Sequence, residues 1–161
     1  MSSDDDFSGK AQSVSRRVMR GFQPDQLEKA RRSAGVSQRE LARLARLNAD
    51  TIRRWELGDS SPQVDLLARV TAAIGVSISD LVKVPEGDRY PGDWRILRGL
   101  TQPQLGAAAG VTTQIVGSVE RGEISLSDNM ARKLSAALQI PESELRASYE
   151  RVRTRPAGTP A

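Results

Sequence analysis

Gly35-Val-Ser-Gln-Arg-Glu-Leu-Ala42 and, ten residues on, Ile52-Arg-Arg-Trp-Glu-Leu-Gly58 decide how this chain folds. Ser37-Gln-Arg-Glu40 is a capping-box pattern, which opens a helix. Asn48 is a good N-cap for a further helix, and Gly58 suits the left-handed position that ends one. Two short helices joined by the three residues Arg46-Leu47-Asn48 are therefore predicted.

The same pattern returns farther along the chain. Residues 35–81 align with residues 99–145 at a constant offset of 64 without a gap. Gly35 meets Gly99, Gln38 meets Gln102, Leu41 meets Leu105, Ala45 meets Ala109, Glu56 meets Glu120, Gly58 meets Gly122 and Leu81 meets Leu145. A fixed internal period is the signature of a repeated structural unit. Two copies are too few for a solenoid, so two small domains in tandem are expected.

Outward from the paired helices, each unit reads as five short helices. Pro24 opens the first, as proline suits an initial helical position; it runs to about Ala34. The fourth starts near Ser61-Pro62, and near Ser125 in the second copy. Its apolar stripe is Leu66, Leu67, Val70, Ala73 and Ile74, matched by Met130, Ala131, Leu134, Ala137 and Leu138. Ser77 caps a fifth helix ending at Val82, and Pro141 opens its counterpart, which extends to about Arg153. No useful strand pattern appears, so the fold class is all-α.

The expected layout is a flexible arm over 1–22, a first domain over 23–83, a linker over 84–93, a second domain over 94–153 and a disordered tail over 154–161. With Lys83 included, the Pro- and Gly-rich connection spans eleven residues. Fully extended it reaches ~36 Å, close to the ~34 Å of one DNA turn. Arg16, Arg17 and Arg20 in the arm are candidates for a minor-groove contact.

Composition removes several function classes. The chain has no Cys and no His, so it lacks the thiolate and imidazole that most metal sites and general bases need. No metal site, cofactor or enzymatic turnover is expected. No apolar run approaches the ~18 residues of a membrane span, and the acidic start is no signal peptide; a cytoplasmic location is expected. The 24 basic residues comprise 20 Arg and 4 Lys, and Arg reads phosphate and guanine best. Residues 27–82 carry nine basic and seven acidic groups, whereas residues 94–145 carry five of each. The first unit is therefore better equipped to neutralise phosphates.

Two short helices in a tight turn, packed on three others, form a DNA-binding arrangement. Each copy resembles the phage-repressor-like (Xre-type) helix-turn-helix family. In the first copy the resemblance rests on the two quoted stretches, Ala45, Ala73-Ile-Gly-Val-Ser77 and Leu81. In the second it rests on Arg98-Gly-Leu-Thr-Gln-Pro-Gln-Leu105, Ala109-Gly-Val-Thr112 and Val119-Glu-Arg-Gly122. The resemblance implies two lambda-repressor-like five-helix domains. It also implies a sequence-specific regulator of double-stranded DNA, a repressor, acting in the family's usual manner as a homodimer on a near-palindromic operator.

Helix geometry selects the reading face. With Ile52 at 0° and about 100° per residue, Trp55 and Glu56 bracket the packed side, and the opposite direction falls near 160°. Asp50, Arg53, Arg54 and Leu57 lie around it; Gln114, Gly117, Ser118 and Arg121 are their second-copy equivalents. Arg54 suits guanine, Asp50 suits cytosine and Gln114 suits adenine. By resemblance, Ala49 and Thr113 touch bases at the helix start. Gln38 and Gln102 match a family glutamine that bonds phosphate or orients the base readers, and Arg43, Arg46 and Arg121 join them as phosphate candidates. Arg31 with Glu56, and Arg95 with Glu120, match a structural pair tying the first helix to the third.

Two departures stand out. The family has Gly in the turn, as at Gly110, where the first copy has Arg46; a left-handed Arg costs on the order of 1 kcal/mol. The second recognition helix carries Gly117, also at ~1 kcal/mol. The second unit is thus a weaker reader on its sequence. The rival expectation is an antitoxin or adaptor whose second unit binds a protein partner.

Overall fold

The computed structural model describes residues 18–161. Among them are ten α-helices and one 3-10 turn, with no strand beyond an isolated bridge between Phe22 and Val82. The first unit comprises α1 (Pro24–Ser33), α2 (Gln38–Ala45), α3 (Ala49–Leu57), α4 (Val64–Ile74) and α5 (Ile78–Leu81). The second comprises α6 (Pro91–Leu97), α7 (Gln102–Ala109), α8 (Thr113–Glu120), α9 (Asp128–Leu138) and α10 (Glu142–Arg153). The all-α, two-unit class read from the sequence is what the chain adopts.

Local chemistry starts and stops these helices. Asn48 Oδ1 accepts the Asp50 N–H at 3.0 Å, and Thr112 Oγ1 accepts the Ile115 N–H at 3.1 Å. The capping box closes fully at Thr101, where Gln104 Oε1 also accepts the Thr101 N–H at 2.9 Å. At Ser37 only half of it forms, because the Glu40 carboxylate is held by Arg43 instead. Helix α4 starts at Val64 rather than Ser61-Pro62, since Ser61 Oγ accepts the Met19 N–H at 2.6 Å and holds the chain extended. Helix α9 starts at Asp128, capped by Ser127 rather than Ser125.

Each unit encloses its own apolar core. Leu27, Leu41, Ile52, Trp55, Leu67, Val70 and Leu81 fill the first. Trp94, Leu105, Val116, Val119, Leu134, Leu138, Leu145 and Tyr149 fill the second. The bulky aromatic changes helix between copies. Trp55 on α3 accompanies the small Ala30 on α1, whereas Trp94 on α6 accompanies Val119 on α8 at the matching positions. Volume is conserved while its source moves, which a packed interior tolerates well.

One buried triad recurs. Arg31 Nε donates to Glu56 at 2.6 Å and its Nη1 to the Val36 carbonyl at 3.0 Å. Gln38 Nε2 donates to the other oxygen of Glu56 at 2.7 Å. Arg95 binds both oxygens of Glu120 and the Leu100 carbonyl, while Gln102 donates to Glu120 at 3.0 Å. The first, second and third helices of each unit are thereby joined.

The two units are docked through the segments expected to be loose. Met19–Phe22 are part of the fold rather than of a flexible arm: Met19 is buried, Lys83 N–H donates to Gly21 O at 2.8 Å and Gln23 N–H to Leu81 O at 2.9 Å. Gly21 has φ 76°, and a Cβ there would lie 2.5 Å from the Lys83 carbonyl. The linker is not extended. It turns at Glu86–Asp88, and α6 begins within it at Pro91 because proline and the Asp93 carboxylate, which accepts the Tyr90 N–H at 2.8 Å, open the helix early. Arg89 stacks on Trp94 and Arg151 donates to the Arg89 carbonyl at 2.6 Å. Ile96 and Leu97 pack against the first core.

Arg20 is committed to this junction and not to a free minor-groove arm. It pairs with Asp93, donates to the Asp88 carbonyl at 3.1 Å and lies over the Tyr90 ring. Burial pushes the Asp93 carboxyl above its ordinary range, opposed by the Tyr90 N–H and by Arg20. Arg16 and Arg17 lie outside the described residues. The end of the chain, expected to be disordered, is tied by Arg155, which donates to the Arg121 carbonyl at 3.0 Å and to the Thr159 carbonyl at 2.9 Å.

Arg95→Ala should destabilise the chain by roughly 3–5 kcal/mol, because it strands the buried Glu120 charge. Arg43→Ala, which removes an exposed pair with Glu40, should leave stability almost unchanged, because solvent screens such a pair. Urea unfolding followed by circular dichroism measures both; equal losses would contradict the triad's structural role.

Candidate nucleic-acid interface

Helix α3 has one buried side and one bare side. Ile52 and Trp55 are 0% and 3% exposed and anchor it in the core. Asp50, Arg53, Arg54 and Leu57 are exposed on the other side. Ala49 is half-buried, packed against the first core at the helix start. The four base-reading candidates of the first unit thus share one short helix, three of them open to solvent.

Their side chains are differently engaged. Arg53 donates through Nε and Nη2 to Asp50 Oδ1, at 2.9 Å and 2.6 Å. Such an exposed pair is worth at most about 1 kcal/mol, so a base edge can open it. Arg54 makes no hydrogen bond or ion pair among the described residues. It is therefore the cation of α3 most available for a bidentate contact.

The flanking candidates divide into two groups. Gln38 and Gln102 each use one amide N–H on Glu56 and Glu120. A glutamine NH2 carries two donors, so each residue braces its recognition helix with one N–H and keeps the other for a phosphate. The sequence carried a signal for this: the glutamine and the glutamate recur together, at the same spacing, in both copies. Arg43 and Arg46 are exposed, Arg43 paired with Glu40. The Glu40 bond raises the guanidinium pKa of Arg43 above its ordinary range.

Arg46 is left-handed, with φ 58° and ψ 46°, and its guanidinium has no partner among the described residues. Two further arginines escaped the sequence reading. Arg39 is exposed in the first turn of α2, where helix N–H groups already favour an anion. Arg69 is exposed on α4, with Nη1 3.5 Å from the Arg46 carbonyl, beside the turn. Position in the helix could have flagged Arg39; only the folded packing of α4 on α2 brings Arg69 near.

The second unit presents a different face. Thr113 and Gln114 are exposed at the start of α8, and Ser118 is half-buried. Gly117 is covered, because the Arg121 guanidinium lies along the helix: a Cβ at Gly117 would sit 2.9 Å from Arg121 Nη1. Arg121 Nε donates to Glu123 at 2.8 Å. That hydrogen bond raises the Arg121 pKa and lowers the Glu123 carboxyl below its ordinary range. The single cation of α8's outward side is thus internally neutralised. Among the described residues no group of three or more carboxylates could hold a metal ion, and no helix is long and apolar enough to cross a membrane.

Gly117→Ala should raise stability by about 1 kcal/mol, the helix-propensity difference, because the obstructing atom is the mobile end of Arg121 and can swing away. Thermal melting measures it. A fall in stability would show that Arg121 is locked over Gly117 more tightly than its exposed pair implies.

A family model described as helix-turn-helix matches the chain twice, over residues 27–81 and 93–145. No curated protein matches the chain. The two matches cover more than half of the sequence and coincide with the two triad-braced units. The chain belongs to the Xre-like helix-turn-helix family, in two tandem copies, and is on that ground a DNA-binding regulator.

Proposed function

We propose that this protein is a sequence-specific transcriptional repressor of double-stranded DNA whose first unit supplies most of the recognition. One observation carries the reading: α3 buries Ile52 and Trp55 while turning Asp50, Arg53 and Arg54, the last without a partner among the described residues, to solvent. Arg54 and Arg53 suit guanine in the major groove and Asp50 suits cytosine, with Ala49 contacting bases at the helix start. Arg43, Arg46, Arg39 and Arg69 surround this helix as phosphate partners, which set affinity and register without reading sequence. Gln38 contributes by holding Glu56, and through it the angle of α3.

The second unit adds contacts through Thr113, Gln114 and Ser118. Arg121 serves a phosphate once its bond to Glu123 opens. An alternative role for this unit, as the protein-contact half of an antitoxin or adaptor or as a homodimer contact, is favoured by one feature. Its recognition helix presents no uncommitted cation among the described residues.

Duplexes selected from a random pool should bind tightly in fluorescence anisotropy, and scrambled ones far less at physiological salt. Equal affinity for both would reject sequence-specific recognition and favour the adaptor. Arg54→Ala should relax preference at one base position by about 1–3 kcal/mol. Uniform weakening on every duplex would remove Arg54 from the reading face.

A further inference from the structure

A cavity of about 330 Å³ lies where the two units meet. That volume falls in the range of small-molecule sites. Three stretches far apart in sequence build most of it: the segment before α1, the turn before α4, and α6, with Glu120 from the end of α8 and Ala161 at its edge. Met19, Pro62 and Val64 are buried apolar walls, and Ile96 is half-buried opposite.

Gly92 also lines the cavity and keeps it open. It sits in the first turn of α6 without a positive φ, so the backbone there does not require glycine. A Cβ at this position would lie 3.2 Å from Glu120 Oε2. Glycine here costs helix propensity and yields room beside Glu120.

The charged side chains at the cavity are already matched. Arg20 pairs with Asp93, and Arg95 with Glu120. An anionic guest meets two carboxylates whose cations are taken, and a cationic guest meets two guanidinium groups whose carboxylates are taken. A charge brought out of water without a partner is strongly disfavoured. Hydroxyl or amide groups, in contrast, can share these hydrogen-bonded pairs without a net charge.

We propose that the cavity between the units binds a neutral, largely apolar small molecule carrying a hydroxyl or amine/amide N–H donor. Such a ligand touches Glu120, which holds α8, and the turn that leads into α4 of the first unit. It therefore bears on the geometry of both units at once. Any effect it has on DNA affinity must be returned by DNA on ligand affinity, by the same factor. The site itself stands apart from the DNA-reading proposal and is tested without DNA.

The test is titration of the full chain with N-phenyl-1-naphthylamine, a neutral apolar fluorophore with one N–H donor. One saturable site per chain is expected. Its sulfonated relative, 8-anilino-1-naphthalenesulfonate, should bind at least ~10-fold more weakly, as expected for a site whose charges are paired. Gln63→Trp and Ile96→Trp place bulk in the cavity and should each weaken the neutral probe at least ~10-fold by filling the space. Gln63 is exposed and makes no capping hydrogen bond, so its variant remains a valid test if Ile96→Trp unfolds the chain. Absence of saturable binding, or binding that Gln63→Trp leaves unchanged in a folded protein, overturns the site. Equal or tighter binding of the sulfonate overturns the neutral class of ligand.

Discussion

The Arg–Glu–Gln triad is the constraint on which each unit depends. Arg31, Glu56 and Gln38 join α1, α3 and α2; Arg95, Glu120 and Gln102 do the same for α6, α8 and α7. A buried ion pair offsets its desolvation only when the remaining donors and acceptors find partners. Here both glutamate oxygens are used, and each arginine also reaches a backbone carbonyl in the loop after its helix. The result is directional in a way that apolar packing is not. Ile52 and Trp55 hold α3 against the core, but the triad sets the angle at which its far side faces outward. Removing the arginine or the glutamate leaves a charge in the interior, so the recognition helix and the fold stand or fall together.

From the same brace the two copies diverge at their surfaces. In the first, Arg54 has no partner among the described residues and Arg53 leans on Asp50 in a weak exposed pair. In the second, Gly117 takes the place of Arg53, and Arg121 folds along the vacancy toward Glu123. Loss of one side chain therefore redirects another, and the outward charge of α8 is cancelled within its own helix end. The balance of +2 against zero, read along the chain, has a structural counterpart in these two faces.

Docking of the units follows from residues that look like punctuation in the sequence. Pro91 and Asp93 read as linker composition, yet proline at a first helical position and an acidic group three residues after the cap are also helix-opening signals. Local rules allowed both readings. Burial of Trp94 behind Asp93, with Arg20 returning from before α1, decides for the helix. Gly21 tells the same story: its left-handed φ and the adjacent Lys83 carbonyl belong to a pairing between segments some sixty residues apart, which no local pattern announces.

The repeat, the helix order and the bare side of α3 were legible because each rests on short-range physics. Caps, glycine stops and 3.6-residue periodicity act within one or two turns, and the offset of 64 displays them twice. The Arg–Glu pairing was legible through family resemblance alone. The positions of Arg69, Arg121 and the segment from Met19 to Phe22 were not. Each is settled by partners that no capping or periodicity rule names: the Arg46 carbonyl for Arg69, Glu123 for Arg121 and Lys83 for Gly21. The cavity between the units belongs to the same class. It exists because two cores, each closed locally, meet along surfaces shaped by residues that share no stretch of chain.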